Sequence, residues 1–364
     1  MSTARKYFDF PGTFEMRRGG VLETPRVAYE TWGELSAARD NAVVIFTGLS
    51  PSAHASSSQE DKAPGWWEEM VGPSRPIDTR KFFVICINSL GSCFGSTGPA
   101  SVNPATGEAY RLDFPLVTLE DVANLGREVV RSLTIERLYA LVGPSMGGMT
   151  ALAYAAMYPG TYERLLILSA GARSMPFATA LRALQREMIR RDPDWNNGDY
   201  PEGGGPITGM RLARKLGMIT YRSAEEWEQR FGRERVPEER KSGDSFALDF
   251  EVESYLEAHA NKFTGQFDPN CYLYLSRASD IFDIAEHGGS VEAGLARINA
   301  PKALVIGVVT DLLFPVHQQE ELAEGIRQSS GSVEFLELAS IQGHDSFLVD
   351  MDRFRPPVHD FLAD

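Results

Sequence analysis

An apolar run, Leu138-Tyr139-Ala140-Leu141-Val142, passes through Gly143-Pro144-Ser145-Met146-Gly147 into an alanine-rich stretch that ends near Pro159. A tight strand-to-helix turn of this kind holds its central serine in a strained conformation and lifts the hydroxyl to the edge of a sheet. Only small residues fit at Gly143 and Gly147 in such a turn. Ser145 is therefore the candidate nucleophile. A serine hydroxyl attacks poorly at neutral pH, so it needs a base, and the base needs an acid that fixes its tautomer. The chain has six histidines: His54, His259, His287, His317, His344 and His359. After such a turn the partners are expected in the order Asp, then His. His344, in Gly343-His344-Asp345-Ser346-Phe347, follows the last apolar run and is the candidate base. His359 stands near the chain end and His317 early in a helical stretch. Asp311, directly after the apolar run 303–309, is the candidate acid; its alternative role is a helix cap before Pro315.

Acyl chemistry on Ser145 also requires two backbone N–H groups aimed at an oxyanion, one after the nucleophile and one from the loop after an early strand. Met146 supplies the first, and Leu49, in Thr47-Gly48-Leu49-Ser50-Pro51-Ser52-Ala53-His54, the second. His54 either contacts substrate or packs this loop. The HGGG run of lipase-type sites is missing, which argues against a simple esterase.

These residues need a scaffold, and the pattern around them specifies one. Short runs rich in Val, Ile and Phe recur at 42–47, 82–88, 138–142, 165–169, 303–309 and 333–338, bounded by Gly, Asn or Ser. Such runs predict buried parallel strands. Helical patterns lie between them, as at 119–133, where Thr118 is a plausible cap and Glu120 and Asp121 suit the first turn. Strand, helix, strand means an α/β, doubly wound, mostly parallel sheet. Residues 24–32 alternate enough to predict an antiparallel edge strand. Between 173 and 300 the buried-strand runs stop and helical patterns take over, with Gly203-Gly204-Gly205 and a polar stretch at 233–244. This predicts a core of residues 1–172 and 301–364 carrying a mostly helical lid insertion, 173–300.

At 364 residues, 43% of them hydrophobic, the chain can bury a full core. A net charge of −14 disfavours nucleic acid and anionic membranes as partners, so an anionic ligand needs a local basic pocket. Three cysteines without CxxC or Cys/His metal spacing suggest neither a disulfide framework nor a zinc site. No eighteen apolar residues run together and the start has no apolar signal core, which points to the cytoplasm. No glycine-rich dinucleotide fingerprint follows the first strand, so no metal, flavin or nicotinamide is expected.

Further motifs carry a resemblance. Gly95-Ser-Thr-Gly98-Pro99, Asn103-Pro-Ala-Thr-Gly107, Asp113-Phe-Pro-Leu-Val-Thr118, Gly143-Pro-Ser-Met-Gly-Gly148-Met, Ala213-Arg214 leading to Thr220-Tyr221-Arg222-Ser223, and Gly343-His-Asp-Ser-Phe347 are similar to those of the homoserine O-acyltransferases of the α/β-hydrolase superfamily. The likeness spans nearly the full chain. It implies an α/β-hydrolase fold, an acyl-CoA co-substrate, an acyl-serine intermediate, transfer to an amino-acid hydroxyl and a homodimer. It also implies that Arg214 holds the acceptor's carboxylate and Asp345 its ammonium, and a zwitterion does call for one charge of each sign.

The loop Gly48-Leu49-Ser50-Pro51, with Gly65-Trp66-Trp67 and Gly91-Ser92-Cys93, resembles the branch of that family acting on L-serine with succinyl-CoA. Serine is one methylene shorter than homoserine, worth only about 1–3 kcal/mol of discrimination, so the pocket must be rebuilt to prefer it. Pro51 stiffens that loop. Arg182 stands where acetyl-using relatives tend to be uncharged and is the candidate reader of the succinyl carboxylate; its alternative is a solvated arginine on a helix face. Succinyl-using relatives that act on homoserine tend to place an arginine just after the triad aspartate, where Leu312 and Leu313 stand here. Either Arg182 replaces that function or the donor is acetyl-CoA. The remaining alternatives are an L-homoserine acyltransferase, a serine esterase or thioesterase, and a scaffold protein without catalysis.

Overall fold

The computed structural model describes residues 2–363 except 202 and 242. Eight strands form the main sheet: β1 (Lys6–Asp9), β2 (Arg26–Trp32), β3 (Ala42–Phe46), β4 (Phe83–Ile87), β5 (Leu138–Pro144), β6 (Tyr162–Leu168), β7 (Lys302–Val308) and β8 (Ser332–Leu338). Their order is β1-β2-β4-β3-β5-β6-β7-β8. From β4 to β8 all neighbours pair in parallel, and β2 runs antiparallel to β4.

The strand expected at 24–32 is antiparallel, as its alternation suggests, but it is not an edge. Lys6–Asp9 pairs along its outer side, from Lys6 with Tyr29 to Asp9 with Arg26. That outer strand is mostly exposed, so no apolar pattern announces it.

The central strands bury both faces, which explains their unbroken apolar runs. Successive side chains point to opposite sides. Val44, Phe46, Ile85, Ile87, Leu141 and Val305 join the core on one face, while Val43, Ile45, Val84, Val142, Ile306 and Val308 join the core on the other. The first face carries α1 (Leu119–Ser132), α2 (Met146–Met157) and α9 (Val316–Arg327); the second carries α11 (Met351–Ala363) and the segment containing Trp67, Met70 and Ile77, in which Val71–Gly72 and Ile77–Asp78 pair as a small separate sheet. Thr118 caps α1 in a reciprocal box with Asp121: its hydroxyl accepts from the Asp121 amide at 3.2 Å, and the Asp121 carboxylate accepts from the Thr118 amide at 2.9 Å.

Between β6 and β7 the regular elements among the described residues are all helical: α3 (Pro176–Arg191), α4 (Ile207–Tyr221), α5 (Ala224–Phe231), α6 (Glu251–Phe263), α7 (Pro269–Ile281), α8 (Val291–Leu295) and short 3-10 turns. A last short helix, α10 (Ser346–Val349), precedes α11. Among the described residues no helix is long and apolar enough to cross a membrane.

Candidate active site

Ser145 sits between the end of β5 and the start of α2 with φ 56° and ψ −126°. A non-glycine residue held at positive φ costs about 1–3 kcal/mol, and the neighbouring structure must supply it. The Ser145 amide donates to Leu168 O at 2.9 Å, tying the turn to β6, and Ser145 O accepts from the amides of Gly148 and Met149. The two small residues are required by contact. A Cβ at Gly143 would fall 2.2 Å from Gly147 O, and one at Gly147 would fall 2.1 Å from Phe46 O. α2 is buried along Met146 to Ala156, and its alanines let it pass close beneath the sheet edge.

The structure brings the three candidate residues of the relay together. Ser145 Oγ lies 2.8 Å from His344 Nε2, and His344 Nδ1 lies 2.8 Å from Asp311 Oδ2. With the carboxylate accepting from Nδ1–H, the lone pair of Nε2 is left to accept the serine proton. Asp311 is not a helix cap: the next helix starts at Val316 with Pro315 before it and no side-chain cap bond, while Asp311 Oδ1 accepts from the loop amides of Leu313 and Phe314, both at 2.9 Å, which fixes the carboxylate's orientation. The rings of Tyr221, Phe314 and Phe347 surround the imidazole at 5.8, 5.5 and 5.7 Å. Burial by itself disfavours the imidazolium, but the Asp311 carboxylate, with that of Asp345 beside it, raises His344 above the ordinary histidine value.

Ser145 opens on a cavity of about 840 Å³, counting the space open to solvent at its mouth. Gly48, Leu49, Ser50, Pro51 and Met146 all line it. Met146 begins α2, where backbone N–H groups lack partners within the helix and form the positive end of its dipole. The loop after β3 is braced from outside: Trp66 Nε1 donates to Ser52 O at 3.0 Å and the Trp67 amide to Ala55 O at 2.8 Å. Trp67 Nε1 also donates to Phe347 O at 2.9 Å, linking this loop to the turn that carries His344. His54 packs the loop: its Nδ1 is 2.8 Å from Glu30 Oε2 and its Nε2 is 2.9 Å from Ala63 O.

The charged candidates separate into two places. Asp345 lines the main cavity, and burial raises its carboxyl despite Arg222, whose Nε is 3.3 Å from Asp345 Oδ2. Arg214 lines a smaller adjoining cavity of about 220 Å³ that shares Leu49, Ser50, Gln185 and Tyr221 with the first. Its guanidinium stacks over Phe263 at 4.6 Å, and its buried Nε has no hydrogen-bond partner. Arg182 also lines the main cavity, but it is not a solvated helix-face arginine: its Nε donates to Asp280 Oδ1 and its Nη2 to Ser174 Oγ, both at 2.6 Å. Cys86, Cys93 and Cys271 are free thiols.

Sequence reasoning missed Arg222, which also donates from Nη1 to Gln342 Oε1 at 2.8 Å. A signal was available, because a carboxylate next to a buried histidine calls for a counter-ion and Arg222 stands in the Thr220-Tyr221-Arg222-Ser223 motif. Gln185 and Ser279 in the cavity wall, and Asp280 behind Arg182, carried no such signal.

A sheet in this order, with a serine on a strained turn after its fifth strand and acid and base after its seventh and eighth, defines a class. The chain belongs to the α/β-hydrolase fold family, whose description matches residues 41–350, and within it to the homoserine O-acyltransferases. It is 57% identical to the serine O-succinyltransferase of Litchfieldella anticariensis over 364 residues, covering 100% of this chain and 99% of that one. Among solved structures, homoserine O-acetyltransferase from Bacillus anthracis superposes with a TM-score of 0.90 at 28% identity, covering 99% of this chain and 97% of that chain. An esterase superposes with a TM-score of 0.87 at 31% identity, covering 98% and 99%.

Proposed function

We propose that this chain is an L-serine O-succinyltransferase that moves the succinyl group of succinyl-CoA to the L-serine hydroxyl through a covalent intermediate on Ser145, in cysteine biosynthesis. The observation that carries the reading is the charge in the cavity: Asp345 and Arg182 face the same space as Ser145 and His344, and Arg214 faces the space next to it. Relatives at full length share the activity by name. Hydrolysis of a neutral ester has no use for two charged side chains beside its nucleophile and a third in the adjoining space.

In the first half-reaction Ser145 Oγ gives its proton to His344 Nε2 and attacks the thioester carbonyl carbon. The amides of Met146 and Leu49 hold the oxyanion. The C–S bond breaks, His344 returns the proton to the departing thiolate, and CoA–SH leaves. In the second half-reaction the acceptor hydroxyl gives its proton to His344 and attacks the acyl carbon, and the Ser145 ester bond breaks as Oγ recovers a proton. Arg214 holds the acceptor's carboxylate and Asp345 its ammonium, so the hydroxyl is presented in place of water. Residues 173–300 act as the lid: Leu181, Arg182 and Gln185 of α3, Thr220 and Tyr221 of α4 and Ser279 of α7 roof the cavity and limit water.

The enzyme works as a homodimer in the cytoplasm. Phe177 and Leu184 on α3, and Leu212 and Ile219 on α4, expose apolar side chains at seven-residue spacing, a stripe suited to another helix pair. Three free thiols suit a reducing compartment.

Arg214→Ala separates transfer from hydrolysis. Removing one partner of a desolvated charge pair costs about 2 kcal/mol or more, so kcat/KM for the amino-acid acceptor should fall by roughly 30-fold at least. Thiol release from the donor alone should persist. Equal loss of both activities in a stopped assay of thiol and product would contradict the assignment of Arg214 to the acceptor.

A further inference from the structure

Two arginines share one aspartate behind the wall of the catalytic cavity. Arg182 Nε is 2.6 Å from Asp280 Oδ1, and Arg186 Nη2 is 2.6 Å from Asp280 Oδ2, the latter at ion-pair distance but without hydrogen-bond alignment. The arrangement follows from helix spacing: positions i and i+4 on α3 point the same way, and α7 brings Asp280 across to meet both. Serines complete it, with Arg182 Nη2 donating to Ser174 Oγ at 2.6 Å and Arg186 Nη1 to Ser276 Oγ at 2.8 Å. The side chains of Arg182, Arg186 and Asp280 are 10%, 14% and 1% exposed. Two cations against one anion leave a net charge of +1 in a place largely withdrawn from water. An uncompensated buried charge is expensive, and a site that keeps one is poised for an anion.

Arg182 lines the cavity and Arg186 does not. If Arg182 and Asp280 stood alone they would cancel, and an incoming carboxylate would meet a neutral pair. We infer that Arg186 is a positioning residue for donor choice: it draws on Asp280 from the far side, so that Arg182 keeps an excess of positive charge for the distal carboxylate of a dicarboxylic acyl group. Asp280 in turn, with Ser174, fixes the plane of the Arg182 guanidinium by engaging Nε and Nη2. The ligand class is an acyl thioester ending in a carboxylate. This deepens the acyl-transfer reading above and rests on it.

The test measures kcat/KM for succinyl-CoA and for acetyl-CoA, each with L-serine, in the wild type, Arg186→Met and Arg186→Lys. Arg190→Met, one turn further along α3 on an exposed side chain stacked near Trp195, is the control. The ratio of the two constants cancels any general damage to the fold. It should fall about 10-fold or more in Arg186→Met, as expected for loss of one charge near a partly desolvated carboxylate, and recover most of that in Arg186→Lys. The control should keep the wild-type ratio. A proportional fall with both donors, or an unchanged ratio in Arg186→Met, overturns the inference while leaving acyl transfer standing. A wild type that releases thiol from neither donor overturns the acyl-transfer reading itself, and the inference with it.

Discussion

Ser145→Ala is expected to lower acyl transfer by about four orders of magnitude or more, the loss seen when a serine nucleophile working with a positioned histidine is removed. The expectation follows from geometry. Oγ is the atom 2.8 Å from His344 Nε2, at the tip of a turn whose glycines admit no side chain. Alanine removes that atom and little else, so the melting temperature should stay close to that of the wild type. Mass spectrometry of the protein incubated with donor alone supplies the sharper test. The wild type should show an acyl adduct on the peptide containing Ser145, and the variant none. A variant that still transferred acyl groups at a comparable rate would move the covalent chemistry elsewhere.

Asp311→Asn should be nearly as damaging, about 10⁴-fold in kcat, because an amide can present N–H to Nδ1 and stabilise the wrong tautomer of His344. Its pH dependence gives a second, independent reading. His344 acts as a base only when deprotonated, so wild-type kcat/KM is lost as pH falls through the His344 value, which Asp311, with a smaller contribution from Asp345, holds above that of an ordinary histidine. Without that carboxylate the effect of burial remains, and burial disfavours the imidazolium. The residual activity of Asp311→Asn should therefore persist to lower pH than that of the wild type. An acid limb that stays in place would mean that another group sets it.

Much of this was legible in the sequence because the relevant constraints are local. The central strands declare themselves by apolar runs, since both of their faces are covered, and the turn at Ser145 declares itself by glycines that a Cβ could not replace. Asp311 and His344 follow from chain order after β7 and β8. What stayed hidden depends on partners far apart in the chain. β1 pairs through its backbone and exposes most of its side chains, so Lys6–Asp9 carries no hydrophobic signature. Arg182 was foreseen as a reader of anions, but its pairing with Asp280, 98 residues later, is a product of how α3 meets α7. The same holds for Arg222, whose ion pair with Asp345 forms only when the end of α4 is laid against the His344 turn. Arg214 illustrates a finer limit. Its motif marked it as a substrate contact, but motif spacing does not reveal that it faces a small side cavity rather than the main one.

The central claim is the identity of the two substrates, and one measurement addresses it most directly. The purified protein is incubated with each pairing of succinyl-CoA or acetyl-CoA with L-serine or L-homoserine, and free thiol and acylated product are followed together. The account predicts product chiefly from succinyl-CoA and L-serine, with thiol and product released in equal amounts. Product chiefly from L-homoserine, or thiol release without acylated product, would contradict it.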